Sequence, residues 1–167
     1  MRRVRVDMWA YGDWRENNWR VLFAVFYDGQ LIGQQNHSAR DFALTREART
    51  GFWLGRRFQG QGFGTQMRAA ALHLAFDCLG AQRVMSSAFA DNAASRRVSR
   101  KFGYEPNGVQ RLVVDHRLVE AYDDDILTAD RWHRPSQESI KVEGFEECRS
   151  LFGTPVPPPP VDVALRV

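Results

Sequence analysis

The chain has 167 residues, 44% of them hydrophobic and 26% charged, with 23 Lys and Arg against 20 Asp and Glu and a formal net charge of +3; that is enough for one compact core. No apolar run approaches the length that crosses a bilayer, and residues 1–11 alternate charged and apolar side chains where a signal peptide would carry an apolar core, so a soluble cytoplasmic protein without membrane contact is expected. The positive charge is almost all arginine, with Lys101 and Lys141 the only lysines, and the arginines are scattered with no basic stripe interleaved with aromatics, which argues against specific nucleic-acid recognition and suits a polyanionic cofactor.

In chain order, residues 19–27 form a β-branched and aromatic run closed by Asp28-Gly29, and residues 30–35 follow as the second strand of a hairpin. A third strand is expected over 50–54, ending at Gly55-Arg56-Arg57-Phe58. From 65 to 79, Met67, Ala70, Ala71, Leu74, Ala75 and Cys78 recur at helical spacing, and Gly80 stands where a C-cap belongs. His73 and Asp77, four apart on one face, read as a solvated helix pair, since no third metal ligand is near. Cys78 reads as a buried thiol, and Cys78 with Cys148 makes neither a disulfide framework nor a metal quartet.

Residues 83–89 read as a strand, and Asp91-Asn92 offers an N-cap for a helix that ends at Phe102-Gly103-Tyr104. Strands over 109–114 and 117–122 flank Asp115-His116 as a hairpin, and a short helix is expected from Thr128 to before Pro135. The order β-β-β-α-β-α-β-β is a mixed α+β layer with helices as crossovers. One domain is expected over 1–134. Residues 135–167 form a tail that carries one weakly amphipathic stretch over 145–152 and the four consecutive prolines Pro157-Pro158-Pro159-Pro160, which favour an extended polyproline II segment.

Between the third strand and the long helix lies Phe58-Gln59-Gly60-Gln61-Gly62-Phe63-Gly64-Thr65. Glycines at alternate positions let backbone N–H groups converge on an anion at a helix N-terminus. A P-loop would need Lys and then Ser or Thr after the last Gly, and here Thr65-Gln66 follow. A dinucleotide fingerprint needs Gly-x-Gly-x-x-Gly and an acidic residue about 20 positions on, where this chain has Val84.

The string Gln59-Gly60-Gln61-Gly62-Phe63-Gly64 resembles the Gln/Arg-x-x-Gly-x-Gly/Ala signature of the GNAT N-acetyltransferase superfamily; the overlapping Arg57-Phe58-Gln59-Gly60-Gln61-Gly62 also fits it. The segment from Asn92-Ala93-Ala94-Ser95 through Val98-Ser99-Arg100-Lys101-Phe102-Gly103-Tyr104 resembles the Asn-x-x-Ser-x-x-Val-x-x-Lys-x-Gly-Phe segment of the same superfamily, in its RimJ/RimL-like branch. That branch acylates ribosomal-protein N-termini and other amines.

The resemblance, over residues 19–132, implies a mostly antiparallel central sheet with flanking helices. It also implies acetyl-CoA, or another acyl-CoA such as succinyl-CoA, as cosubstrate, without a metal. A β-bulge is implied in the strand Gly51-Phe52-Trp53-Leu54-Gly55, opening a groove in which the Leu54 N–H meets the thioester oxygen as it gains charge. The cofactor would touch Trp53, Leu54, Gly55, Gln59, Gly60, Gln61, Gly62, Phe63, Gly64, Thr65, Asn92 and Ser95; Arg56 and Arg57 either hold the 3′-phosphate or are solvated. Ser95 or Ser99 is implied as donor to the departing sulfur, although many relatives have Tyr at the position of Ser99. The base of such relatives falls where this chain has Arg49, leaving Glu47, Asp41 and His37 as candidates.

Relatives begin with a strand and helices that precede the first hairpin, and only 18 residues precede Trp19 here. A shortened amino-terminal arm is therefore expected, and a missing edge strand favours pairing with a second copy. The reading is an acyl-CoA-dependent N-acyltransferase acting on a primary amine of a small molecule or a peptide N-terminus. The alternative is a non-catalytic acyl-CoA-binding protein or partner subunit.

Overall fold

The computed structural model describes residues 14–114, 116–133 and 140–154. Its centre is a six-stranded sheet in the order β1-β2-β3-β4-β6-β5. The strands are β1, Asn18–Tyr27; β2, Gln30–Arg40; β3, Glu47–Leu54; β4, Arg83–Phe89; β5, Glu105–Val114; and β6, Arg117–Thr128. Every neighbouring pair is antiparallel except β3 with β4. Parallel neighbours need a long crossover, and the helix between these two strands supplies it. The sheet is mixed, mostly antiparallel and flanked by helices, as expected.

The strands outrun their apolar stretches. On β2 the residues Gln35, His37 and Ala39 are buried while Asn36 and Ser38 between them are partly exposed, so polar residues break the apolar run without breaking the ladder. β6 likewise continues six residues past the expected end at 122.

A short helix that the sequence did not suggest, α1, Phe42–Thr45, drops the fully buried Phe42 into the core. α2 runs over Phe63–Leu72 and continues as a π-helical turn over His73–Cys78, so the helix expected over 65–79 is present but more widely wound at its end. α3, Ala93–Lys101, is capped as expected, with the Asn92 side chain accepting from the Ser95 N–H at 3.1 Å. In place of the short helix after Thr128 there is one 3-10 turn, Ala129–Arg131; Pro135 lies outside the described residues.

The main core packs Trp19, Phe42, Leu72, Phe76, Val84 and Leu127, and it draws two side chains from beyond residue 134. α4, Phe145–Cys148, and the 3-10 turn Arg149–Phe152 bury Phe145 and Phe152 in it. The Phe152 ring meets the rings of Trp19 at 5.0 Å and Trp14 at 5.3 Å. The indole N–H of Trp19 donates to the Phe152 carbonyl and that of Trp14 to the Leu151 carbonyl, each at 3.1 Å. The stretch 145–152, expected within a tail, docks through its apolar residues Phe145 and Phe152 and leaves Glu146, Glu147 and Ser150 exposed. The four prolines lie outside the described residues. No described helix is long and apolar enough to cross a membrane.

Candidate functional site

β3 and β4 run side by side only from Glu47 opposite Arg83 to Thr50 opposite Ser86. Beyond that point Gly51 to Leu54 stay on β2, while Ser87 to Phe89 stay on β6. The two strands therefore part, and one edge of β3 is left open. The β2–β3 register is unbroken from Ser38 opposite Arg49 to Gly33 opposite Leu54, so the bulge expected in β3 is absent from that ladder. Divergence from β4, rather than an inserted residue, opens the groove.

The direction of the backbone groups follows from the ladder. Gly55 N–H donates to the Ile32 carbonyl on β2 at 2.9 Å, and alternation along the strand turns the Leu54 N–H the other way, into the opening. Strand β2 approaches closely here: a Cβ on Gly33 would stand 2.3 Å from the Trp53 carbonyl oxygen.

The loop after β3 is braced by its own glutamines. Gln59 Nε2 donates to the Leu54 carbonyl at 3.0 Å, and Gln61 Nε2 donates to the Arg57 carbonyl at 2.7 Å. Gly60 and Gly62 have φ of +76° and +91°, where a side chain would be strained, and the space beside each is open. Gly62 caps α2 without a side chain, and the first turn of α2 holds no acidic residue. Thr65 and Gln66 N–H groups bond back to the Gly62 carbonyl at 2.9 and 3.1 Å, so the N–H groups of Phe63 and Gly64 precede the first intrahelical bond. The positive end of the helix dipole thus faces the groove with no carboxylate to neutralise it.

The groove encloses about 550 Å³ between β3, the loop, the start of α2 and α3. It gathers nine of the sequence candidates: Trp53, Leu54, Gln59, Gly60, Gly62, Gly64, Thr65, Asn92 and Ser95. Phe52, Ala94, Arg97, Val98 and Lys101 also line it. Arg97 and Lys101 were missed, yet Ala94, Arg97, Val98 and Lys101 are spaced i, i+3, i+4, i+7, which is one helix face. They make the groove cationic, and among the described residues its lining holds no carboxylate and no imidazole.

Other candidates lie elsewhere. Gly55 and Gln61 flank the groove without lining it, and Phe63 turns to the far side of α2, where its ring meets Tyr27 at 4.7 Å. Glu47 is seven residues from Leu54 at the opposite end of β3, roughly 23 Å away at strand rise, and pairs with Arg83 Nη1 at 2.6 Å. Ser99 is 2% exposed beneath α3 and is not in the lining. Arg56 and Arg57 are exposed outside it, with the Arg57 guanidinium 4.8 Å from the centre of the Phe58 ring. Asp41 is exposed just before α1.

His37 belongs to β2 rather than to a loop, and it lines a second, mostly apolar cavity of about 490 Å³ on the other side of α2. It is 1% exposed, and burial pushes its pKa down to about 4. Under the groove, Arg68 is also 1% exposed; its Nη1 donates to Thr50 Oγ1 at 3.1 Å and to the Tyr104 hydroxyl at 3.2 Å. No group of three His, Cys, Asp or Glu side chains among the described residues is arranged to hold a metal ion.

A family model described as an acetyltransferase (GNAT) domain matches residues 2–105. YdaF of Bacillus subtilis (strain 168), provisionally named a ribosomal N-acetyltransferase, is 31% identical over 102 residues, covering 56% of this chain and 55% of that protein; the chain spans about half the length of this curated relative. A crystal structure of a probable acetyltransferase superposes with a TM-score of 0.64 at 24% identity, covering 77% of this chain and 71% of the other. Mycobacterium smegmatis RimJ in complex with CoA-disulfide superposes with a TM-score of 0.62 at 23% identity, covering 72% and 56%.

Proposed function

The chain belongs to the GNAT acetyltransferase-domain family, and from that premise we propose that it transfers an acetyl group, or another short acyl group, from acyl-CoA to a primary amine. One observation carries this reading: the open edge of β3 and the start of α2, which no side chain caps, converge on a single cationic groove. The pyrophosphate rests on the N–H groups of Gly60 to Gly64, with Arg97 and Lys101 opposite. The pantetheine arm runs along the free edge of Gly51 to Leu54 and pairs with it as a strand would.

The Leu54 N–H donates to the thioester oxygen. The amine nitrogen attacks the carbonyl carbon, the C–N bond forms as the C–S bond breaks, and the CoA thiolate leaves. Ser95, which lines the groove, donates to that sulfur; the buried Ser99 does not reach it. With no carboxylate or imidazole in the lining among the described residues, the amine passes its proton to a chain of water. The acceptor is a small-molecule amine or a peptide N-terminus; YdaF is named for ribosomal N-acetylation.

That no carboxylate or imidazole lines the groove among the described residues also bears on a second reading, a protein that binds acyl-CoA without turning it over. Calorimetric titration with CoA and a thiol-release assay with acetyl-CoA, succinyl-CoA and a panel of amines separate the two. Binding with release establishes the transferase. Binding without release for any amine leaves the second reading, and a failure to bind CoA ends both.

A further inference from the structure

The last six residues of the long helix are wound as a π-helix, His73–Cys78. In an α-helix, residues i and i+5 point roughly 140° apart; the wider turn brings them to the same side, and such turns recur at functional sites. Here it brings Cys78 round to His73. The Cys78 Sγ lies 3.9 Å from His73 Nε2, and His73 Nδ1 lies 2.6 Å from Asp77 Oδ2. The carboxylate can only accept, so Nδ1 carries a proton and Nε2 presents its lone pair to the thiol.

Groups from two other parts of the chain fix this arrangement. The Trp132 indole N–H donates to the second oxygen of Asp77, Oδ1, at 3.2 Å, and Trp132 itself is stacked on Phe76. From the docked C-terminal segment, Arg149, whose Nε and Nη2 pair with the Glu146 carboxylate at 2.9 and 2.6 Å, donates from Nη1 to the Cys78 carbonyl at 2.9 Å. The Cys78 side is half-buried. The contrast is Cys148, whose Sγ donates to the carbonyls of Gly144 and Phe145 at 3.3 Å each. Thiols that react are those beside a base with an opening to solvent, and His73 is such a base for Cys78.

We propose that Cys78 is an activated thiol and a site of covalent modification by low-molecular-weight disulfides, with His73 as its base and Asp77 as the group that holds the imidazole. His73 Nε2 takes the Sγ proton, and the thiolate attacks one sulfur of the disulfide. A new S–S bond forms to Cys78 as the reagent's own S–S bond breaks. The other half leaves as a thiolate and takes up the proton from His73. The disulfide is the oxidant: it is reduced to one free thiol while Cys78 is oxidised to the mixed disulfide. Cys78 lies at the far end of the helix from Gly62, roughly 20 Å along its axis, so this chemistry is separate from the groove.

The test uses the full chain carrying Cys148→Ser and the aromatic disulfide 5,5′-dithiobis(2-nitrobenzoate). One equivalent of released thiol per folded chain is expected, at a pH 6 rate at least tenfold above that of N-acetylcysteine. Adding His73→Gln is expected to lower that rate at least tenfold and to restore the steep rise with pH of an ordinary thiol. Asp77→Asn, at the more exposed end of the triad, is expected to lower it severalfold; this variant decides the matter if circular dichroism shows the His73 variant unfolded. A Cys78 rate at or below that of N-acetylcysteine from pH 5 to 8, or folded variants that react as fast as their parent, would overturn the proposal.

Discussion

The imidazole of His37 donates from Nε2 to the carbonyl oxygen of Ala71, 2.9 Å away, joining β2 to α2 inside the core. A carbonyl cannot donate, so this bond is made equally well by the neutral ring, and burial keeps the ring neutral until about pH 4. In the unfolded chain the same group takes a proton near pH 6.5. Between these values the unfolded state holds more protons, so stability falls as the pH falls. The stabilisation is complete above pH 6.5 and is lost as the pH passes down through 4, amounting to about 3 kcal/mol. Urea unfolding at pH 7 and pH 4.5 measures this, and His37→Gln should flatten the dependence. Parallel pH profiles for the two proteins would remove His37 as the cause.

Gly62→Val should weaken CoA binding at least tenfold, since its side chain would enter the open space beside the cap of α2. The positive φ adds strain whatever the ligand, so a control is needed. Gly80→Val provides it, with φ +72° and open space at the other end of the same helix. The Gly80 variant should lose stability and keep CoA affinity by calorimetry. Equal CoA affinities for both folded variants would mean that the loop is not the phosphate cradle.

Asn92 combines two duties that substitution can separate. Asn92→Asp keeps an oxygen for the Ser95 N–H and should leave the melting temperature within a degree or two, but it sets a negative charge in the groove and should weaken CoA severalfold. Asn92→Ala should cost about 1 kcal/mol of stability through the lost cap. A melting curve and a CoA titration for each variant suffice; undiminished CoA binding by the Asp variant would place the cofactor away from Asn92.

Phe152→Ala should destabilise the protein by about 3–5 kcal/mol, the usual cost of deleting a buried ring. Its ring packs between Trp14, Trp19 and Phe145. Chemical denaturation followed by tryptophan fluorescence reads both the stability and the loosened indoles. A cost below 1 kcal/mol would mean that the C-terminal segment merely rests on the surface.

Much of this architecture was readable in advance. The apolar runs placed all six strands, the spacing of Met67, Leu74 and Ala75 placed the crossover helix, and Asn92 marked the cap of α3. Gly60, Gly62, Gly64 and Ser95 line one groove, while Gly55 stands beside it. Several features needed information that local patterns do not carry. α1 forms because Phe42 drops into a core built by distant strands, and the π winding at His73–Cys78 leaves no mark in a 3.6-residue periodicity. Glu47 was favoured by strand parity, which fixes the face but not the end of β3 where the groove opens. Arg97 and Lys101 looked like scattered charges until α3 was set against β3.

The contacts of Phe145 and Phe152 with Trp19 also govern the order in which this protein can be made. A ribosome releases the N-terminal strands first, so every strand of the sheet can leave it while the pocket around Trp14 and Trp19 still lacks its cover. Closure waits for residue 152. A chain stalled or cut short after β6 would carry the whole groove and yet expose two indoles to chaperones and proteases, so the turn Arg149–Phe152 acts as a seal over the pocket.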